Sequence, residues 1–199
     1  MSSFSDIFER YNWDDVKHQI YSKTSADVER ALNSPKRDLG DFMALVSPAA
    51  GFYLEPMARL SQQLTQKRFG KTIQMYIPLY LSNECNNICT YCGFSLDNKV
   101  KRRTLNPIEI MQEAAAIKEL GYDHVLLVSG EANQTVHVDY FRQALKLLRP
   151  HFSHISMEVQ PLDEEDYLEL ISYGLNTVLI YQETYHKEDY KKHHPKGKK

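Results

Sequence analysis

Residues 73–92 read Ile-Gln-Met-Tyr-Ile-Pro-Leu-Tyr-Leu-Ser-Asn-Glu-Cys-Asn-Asn-Ile-Cys-Thr-Tyr-Cys, an apolar run that leads into the only three cysteines of the chain. The apolar part predicts a β-strand with Pro78 near its end or at a bulge, because proline cannot donate to a strand ladder. A closed tetrahedral metal site needs four ligands, whereas Cys85, Cys89 and Cys92 on a four-iron cluster would leave one iron open. The spacing therefore predicts a reactive iron–sulfur site. A zinc site completed by a histidine, or three unrelated buried thiols, is the alternative.

The sequence after the cysteines alternates between short apolar runs and helical patterns. Strands are predicted at 124–128, 154–159 and 177–181, and helices of about ten residues separate them. The first of these helices begins at Asn106-Pro107, where Asn106 is a suitable N-cap and proline suits the first helical position. This βαβ pattern predicts an α/β fold with a parallel sheet.

Polar or metal-binding residues follow the carboxyl end of each predicted strand. They are Cys85, Ser129-Gly130-Glu131, Gln160 and Gln182-Glu183. In a β/α barrel the active site lies at this end of the strands. Four βα units make half of an eight-unit barrel, and an unpaired parallel edge strand would be exposed. We therefore expect a partial barrel, either truncated or in need of another chain.

The sequence before the first strand predicts a helical segment, residues 1–71, ahead of the barrel unit of residues 72–199. Thr24 and Asp27 have the spacing of a capping box. Ser34-Pro35 is expected to begin the next helix, with proline at its first position. No chemistry is visible in this segment, so we interpret it as a packing appendage.

Composition and charge exclude several classes of function. With 24 basic and 26 acidic residues, the net charge of −2 attracts neither nucleic acid nor an anionic membrane. No apolar run reaches the roughly 18 residues of a membrane span, and the first residues do not resemble a signal peptide. Three clustered cysteines are a poor disulfide framework. These features predict a cytoplasmic protein without nucleic-acid or membrane partners. The basic run at 191–199 is interpreted as a solvated loop, and binding of nucleic acid or an acidic partner to this run is the alternative.

The cysteine spacing, with Tyr91 before the last cysteine, resembles the C-x₃-C-x-aromatic-C motif of the radical S-adenosylmethionine (SAM) superfamily. The resemblance implies a [4Fe–4S] cluster on the three cysteines, whose open iron takes the amino and carboxylate groups of SAM. Ser129-Gly130-Glu131 is similar to the superfamily's Gly-Gly-Glu motif, so Glu131 is expected to bind the SAM amino group. A solvated loop glutamate is the alternative. The resemblance places radical generation at the bound SAM, and no protein residue is assigned as catalytic.

Polar residues after the third and fourth strands are further candidates for binding SAM or the substrate. Glu158 and Gln160 alternate with apolar residues, which places both on one face of a strand. A buried carboxylate needs a ligand or a basic partner, and a structural ion pair is the alternative for Glu158. After the fourth strand, the candidates are Gln182, Glu183, Thr184 and Tyr185.

Longer stretches resemble the radical SAM aromatic amino acid lyases, most closely the 2-iminoacetate synthases of thiamine thiazole synthesis. They are 13–16, 24–32, 78–83, 91–95, 101–105, 157–161 and 181–186. The resemblance covers essentially the whole chain, as the N-terminal part of the family's sequence. It implies cleavage of L-tyrosine to 2-iminoacetate and p-cresol, an external electron donor and a thiazole synthase partner. The alternatives are the related tyrosine lyase of [FeFe]-hydrogenase cofactor maturation and a non-catalytic half-barrel that binds iron or zinc.

Overall fold

The structure is a computed structural model of the chain and describes residues 3–197. The chain divides into two compact units, Met1–Ile73 and Gln74–Lys199. The first unit is helical and consists of α1 (Phe4–Phe8), α2 (Trp13–Tyr21), α3 (Ser25–Asn33), α4 (Leu39–Leu45), a 3₁₀ helix (Pro48–Tyr53) and α5 (Leu54–Phe69). Its small core contains Val28, Ala31, Ala44 and Ala50. Small side chains there let the helix backbones approach closely.

Reciprocal capping hydrogen bonds set the starts of three helices in this unit, α1, α3 and α4. Thr24 and Asp27 form the predicted capping box at the start of α3. The prediction that Ser34-Pro35 begins the next helix was wrong. Asp38 caps α4 instead, because its carboxylate accepts the Asp41 N–H and the Asp41 carboxylate in turn accepts the Asp38 N–H. The Ser34 hydroxyl, by contrast, donates to the carbonyl of Lys36.

The Asp27 carboxylate is expected to contribute to the stability of the fold in a pH-dependent way. The Thr24 backbone N–H and hydroxyl, and the Arg30 guanidinium, lower the pKa of Asp27 from 3.8 to about 2. A pKa that is lower in the folded chain stabilises the fold above pH 3.8, and this contribution is lost as the pH falls toward 2. Asp27→Asn is therefore expected to lower the thermal midpoint near neutral pH, with a difference that narrows in acid. Circular dichroism melts test this, with Asp15→Asn in α2 as the control; a pH-independent difference contradicts it.

The second unit is a parallel sheet with helical connections, as predicted. Its strands lie in the order β1 (Ile77–Ser82), β2 (His124–Ser129), β3 (His154–Glu158) and β4 (Thr177–Val178). The helices are α6 (Pro107–Glu119), α7 (Val138–Leu148), α8 (Glu164–Ser172) and α9 (Lys187–His193). No helix within residues 3–197 is both long and apolar enough to cross a bilayer.

Successive strand residues face opposite sides of the sheet. Leu79, Leu127 and Met157 belong to the core that includes Phe141 of α7. Their neighbours Tyr80, Val128 and Glu158 are aligned across β1, β2 and β3 and line a cavity on the other side. One face of the sheet therefore holds the helices, and the other presents side chains to the cavity.

The predicted strand boundaries differ most from the structure at the start of β1 and the end of β4. β1 begins at Ile77 rather than Ile73, because pairing with β2 starts where Ile77 lies opposite Val125. β4 ends at Val178, although the Leu179 N–H still donates to the Met157 carbonyl (2.8 Å). Pairing stops at Val178 because its partner Met157 is followed by Glu158, the last residue of β3. Pro78 is the second residue of β1, which lies at the edge of the described sheet, where its missing N–H is tolerated.

Candidate active site

A cavity of about 1270 Å³ lies at the carboxyl ends of the strands. It brings together most of the residues predicted to form the site. Those that line it are Cys85, Cys89, Tyr91, Cys92, Glu131, Glu158, Gln160, Gln182 and Glu183. Thr184 and Tyr185 lie outside its lining, and the Thr184 carbonyl accepts a hydrogen bond from the Gln182 side chain (3.1 Å) in a local turn. Ligand contacts by these two residues stay a prediction.

The three cysteines lie in a long loop, residues 84–102, which we call the cysteine loop. Its base is closed by antiparallel pairing of Ser82 with Thr104. The Asn83 N–H donates to the Arg103 carbonyl (3.1 Å), and the Leu105 N–H donates to the Leu81 carbonyl (2.9 Å). The end of β1 therefore holds both ends of the loop at the mouth of the cavity.

No disulfide joins any of the three cysteines, and Cys89 is the most buried. The Phe94 N–H donates to Cys92 Sγ (3.4 Å), and the Cys89 N–H donates to Ser95 Oγ (3.1 Å). Within residues 3–197, no three His, Cys, Asp or Glu side chains are arranged to hold a metal ion, so the thiols share a cavity without converging on a point. Three thiols still form a donor set that suits a four-iron cluster with one open iron.

The segment after β2 packs directly on the cysteine loop. A Cβ added at Gly130 would clash with the Glu84 carbonyl oxygen and lie 3.0 Å from Cys85 Cβ. The Asn86 N–H donates to the Glu131 carbonyl (2.8 Å), and the Asn87 side-chain amide donates to the Glu131 carboxylate. The close approach needs glycine at position 130, and it places the Glu131 carboxylate beside the loop that carries the thiols.

Two buried polar atoms at the cavity have no hydrogen-bond partner among the described residues. They are Ser129 Oγ and Gln160 Oε1. Gln160 is 5% exposed, and its Nε2 donates to the Val136 carbonyl (2.6 Å). Buried polar groups are nearly always hydrogen-bonded, so these two atoms suit a ligand that brings N–H or O–H donors into the cavity.

The charge of the cavity wall is negative. Its lining includes the carboxylates of Glu131, Glu158, Asp163, Asp166 and Glu183, and no lysine or arginine among the described lining residues. A concave wall of one sign of charge attracts a ligand group of the opposite sign. The described part of the site is therefore suited to cationic groups such as an ammonium or a sulfonium.

The segment from α9 onward packs on the cysteine loop. The Tyr91 hydroxyl and His194 Nε2 are hydrogen-bonded (2.6 Å), and His194 is buried. The Ile88 N–H donates to the Lys196 carbonyl (2.8 Å). The expectation of a loop was wrong for residues 191–197, because they complete α9 and pair with the cysteine loop, although all of them except His194 are exposed to solvent as expected. The last two lysines lie outside the described residues.

Several residues with a clear place in the site were not singled out from the sequence. They are Asn87, Ser95, Arg102 and His194. The length of the cysteine loop was one available signal, since long loops without regular structure are uncommon in compact domains and are often functional. The individual contacts carry no local sequence pattern.

Residues 79–199 match the family model of the Radical SAM superfamily. The match covers more than half of the chain and includes the cysteine loop and the carboxyl ends of all four strands. The chain therefore belongs to this superfamily, and the parallel sheet is part of the superfamily's β/α barrel.

Comparison with individual proteins shows which members of the superfamily the chain is similar to. The chain is 54% identical over all 199 residues to 2-iminoacetate synthase from Escherichia coli (strain K12), of which it covers 53%. It is 52% identical to the same enzyme from Salmonella typhimurium (strain LT2), again over 53% of that protein. The crystal structure of HydG, a maturase of the [FeFe]-hydrogenase, superposes with a TM-score of 0.84 at 25% identity, over 94% of this chain and 44% of that one. The predicted resemblance is confirmed, and the chain spans about half the length of the curated relatives it matches.

Proposed function

We propose that the chain holds a [4Fe–4S] cluster on Cys85, Cys89 and Cys92, binds SAM beside it, and takes part in cleaving L-tyrosine to 2-iminoacetate and p-cresol. The observation that carries this proposal is one cavity lined by the three thiols and Glu131, in a chain 54% identical to a 2-iminoacetate synthase. When bound, the cluster and SAM would supply the radical chemistry that removes a hydrogen atom from the substrate. General acid–base groups contribute about 10²–10⁴-fold, far too little to break a carbon–carbon bond of an amino acid.

The side chains around the cavity bind and orient the ligands in this proposal. Glu131, oriented by the Asn87 amide, accepts hydrogen bonds from the SAM ammonium. Ser129 Oγ and Gln160 Oε1, which have no partner among the described residues, accept N–H or O–H groups of SAM or the substrate. Glu158 adds negative charge where it is aligned with Val128. The polar residues after β4, from Gln182 to Tyr185, are the proposed contacts to the SAM ribose or the substrate.

The Glu131 carboxylate is expected to strengthen the binding of SAM. A hydrogen bond to a charged group contributes about 1.5–3 kcal/mol, so Glu131→Gln is expected to weaken SAM binding about ten- to a hundredfold. Isothermal titration of the anaerobically reconstituted chain with SAM measures the change. Glu164→Gln, in the first turn of α8 and outside the cavity lining, removes the same charge as a control. Equal dissociation constants for the two variants would contradict the role of Glu131.

The proposed reaction is tested by adding SAM, a reductant and L-tyrosine to the reconstituted chain under anaerobic conditions. The expected products are 5′-deoxyadenosine and p-cresol. A cluster that forms without cleaving SAM would support the non-catalytic half-barrel instead. A stoichiometric zinc ion with no iron absorption would overturn the cluster itself.

The remaining parts of the proposal concern the choice between two related enzymes, the partners, the location and the division of the chain. We favour 2-iminoacetate synthesis over [FeFe]-hydrogenase cofactor maturation because the identity is 54% to the former enzyme and 25% to HydG. The proposal includes thiazole synthase as the acceptor of 2-iminoacetate, an external electron donor and a cytoplasmic location. It also treats residues 1–71 as a helical appendage to the barrel unit of residues 72–199.

A further inference from the structure

Arg102 stands at the end of the cysteine loop, one residue before the segment that pairs with the end of β1. Its neighbour Arg103 points elsewhere and forms an exposed ion pair with Glu109 (2.7 Å). Arg102 is half-buried, and its guanidinium contacts backbone carbonyls. Two adjacent arginines therefore have different surroundings, and only Arg102 contacts the loop through its side chain.

The Arg102 guanidinium joins Asn83, the residue before the cysteine loop, to residues 94–98 within the loop. Nη1 donates to the carbonyl of Asn83 (2.6 Å), before the first cysteine, and to that of Phe94 (2.8 Å), after the last. Nη2 donates to the carbonyls of Ser95 (2.6 Å) and Asn98 (3.4 Å). A planar guanidinium presents its donors in a fixed fork, so it can hold several carbonyls at once in a way that a lysine ammonium cannot reproduce.

Two of the four carbonyls that Arg102 binds belong to Phe94 and Ser95, which also hydrogen-bond to cysteines. The N–H of Phe94 donates to Cys92 Sγ (3.4 Å), while the carbonyl of Phe94 is bound to Arg102. Ser95 is 3% exposed, and its hydroxyl accepts the Cys89 N–H (3.1 Å). Fixing the peptides of Phe94 and Ser95 therefore fixes the hydrogen bonds that orient two of the three proposed ligands. Groups that hydrogen-bond to metal ligands in this way tune the metal affinity and the reduction potential of a cluster.

We propose that Arg102 is a positioning residue that keeps the cysteine loop closed and aims Cys89 and Cys92 into the cavity before the cluster is bound. The consequence for the cluster rests on the proposed function, whereas the closure of the loop does not. The guanidinium acts through backbone carbonyls, so both its shape and its charge matter. Arg102→Lys retains the charge without the fork, and Arg102→Met retains much of the apolar stem without the charge.

The first test uses the metal-free chain and hydrogen–deuterium exchange. Both Arg102 variants are expected to raise exchange about tenfold or more in peptides covering residues 83–98, with little change in the thermal midpoint. Arg103→Lys and Arg103→Met are the matched controls, because Arg103 pairs with Glu109 outside the loop. Exchange in the Arg102 variants equal to that in the Arg103 variants would overturn the proposal.

The second test uses the anaerobically reconstituted chain and the electron paramagnetic resonance spectrum of the reduced cluster. Arg102→Lys is expected to lower the iron content several-fold and to change the g values, whereas Arg103→Lys leaves both unchanged. If neither the unsubstituted chain nor any variant takes up iron, the proposed function fails while the exchange result still decides the role of Arg102. An unaltered spectrum and iron content in Arg102→Lys would overturn the effect of Arg102 on the cluster.

Discussion

Replacing Cys89 with alanine is expected to abolish cluster binding and, with it, all release of 5′-deoxyadenosine. The chain contains three cysteines, so the variant offers two thiolates, and no thiol elsewhere can take the missing place. Cys89 is also the central and most buried of the three, 7% exposed. Iron and sulfide content after anaerobic reconstitution measure the loss, and it is expected to be essentially complete.

Asn86→Ala is a suitable control for the cysteine variant, because it lies in the same loop and its side chain is exposed. Its backbone N–H, which donates to the Glu131 carbonyl, is retained. We expect iron uptake by this variant to match that of the unsubstituted chain. An Asn86→Ala variant that loses iron equally would mean that the loop is simply intolerant of change. A Cys89→Ala variant with full iron content would refute the ligand assignment.

The order of helices and strands could be predicted because it depends on local patterns. The reciprocal bonds of Thr24 and Asp27 and of Asn106 and Glu109 involve residues three apart, which a reader of the sequence sees directly. The wrong helix start predicted at Ser34-Pro35 also came from a local capping pattern. A second capping pair, Asp38 and Asp41, lies four residues further on, and its two carboxylates outcompete a serine followed by proline.

The composition of the cavity could be predicted because parallel strands bring their carboxyl ends to one edge of a sheet. That rule placed Cys85, Glu131, Gln160 and Gln182 together without any tertiary information. The rule about parallel strands does not predict which contacts form between loops. The hydrogen bond from Tyr91 to His194 joins residues 103 positions apart, and its geometry depends on the path of the chain after β4.

Gly130→Ala is expected to destabilise the fold and to impair cluster binding, although it adds a single methyl group. The new Cβ would clash with the Glu84 carbonyl oxygen and crowd Cys85 Cβ, so the backbone that leads into the first proposed ligand has to move. Overpacking of this kind costs about 1–3 kcal/mol, and a clash with backbone belongs at the upper end. Thermal unfolding and iron content after reconstitution are both expected to fall.

Gly93→Ala separates this clash from the general effect of replacing a loop glycine. Gly93 lies directly after Cys92, an added Cβ there meets nothing within 4 Å, and its φ is not positive. Since alanine restricts the unfolded chain, this variant is expected to be neutral or to gain about 0.4–1 kcal/mol. The same chemical change is therefore expected to destabilise the fold at position 130 and to be neutral or slightly stabilising at position 93. Equal thermal midpoints and iron contents would show that the packing of Gly130 on Glu84 does not position Cys85.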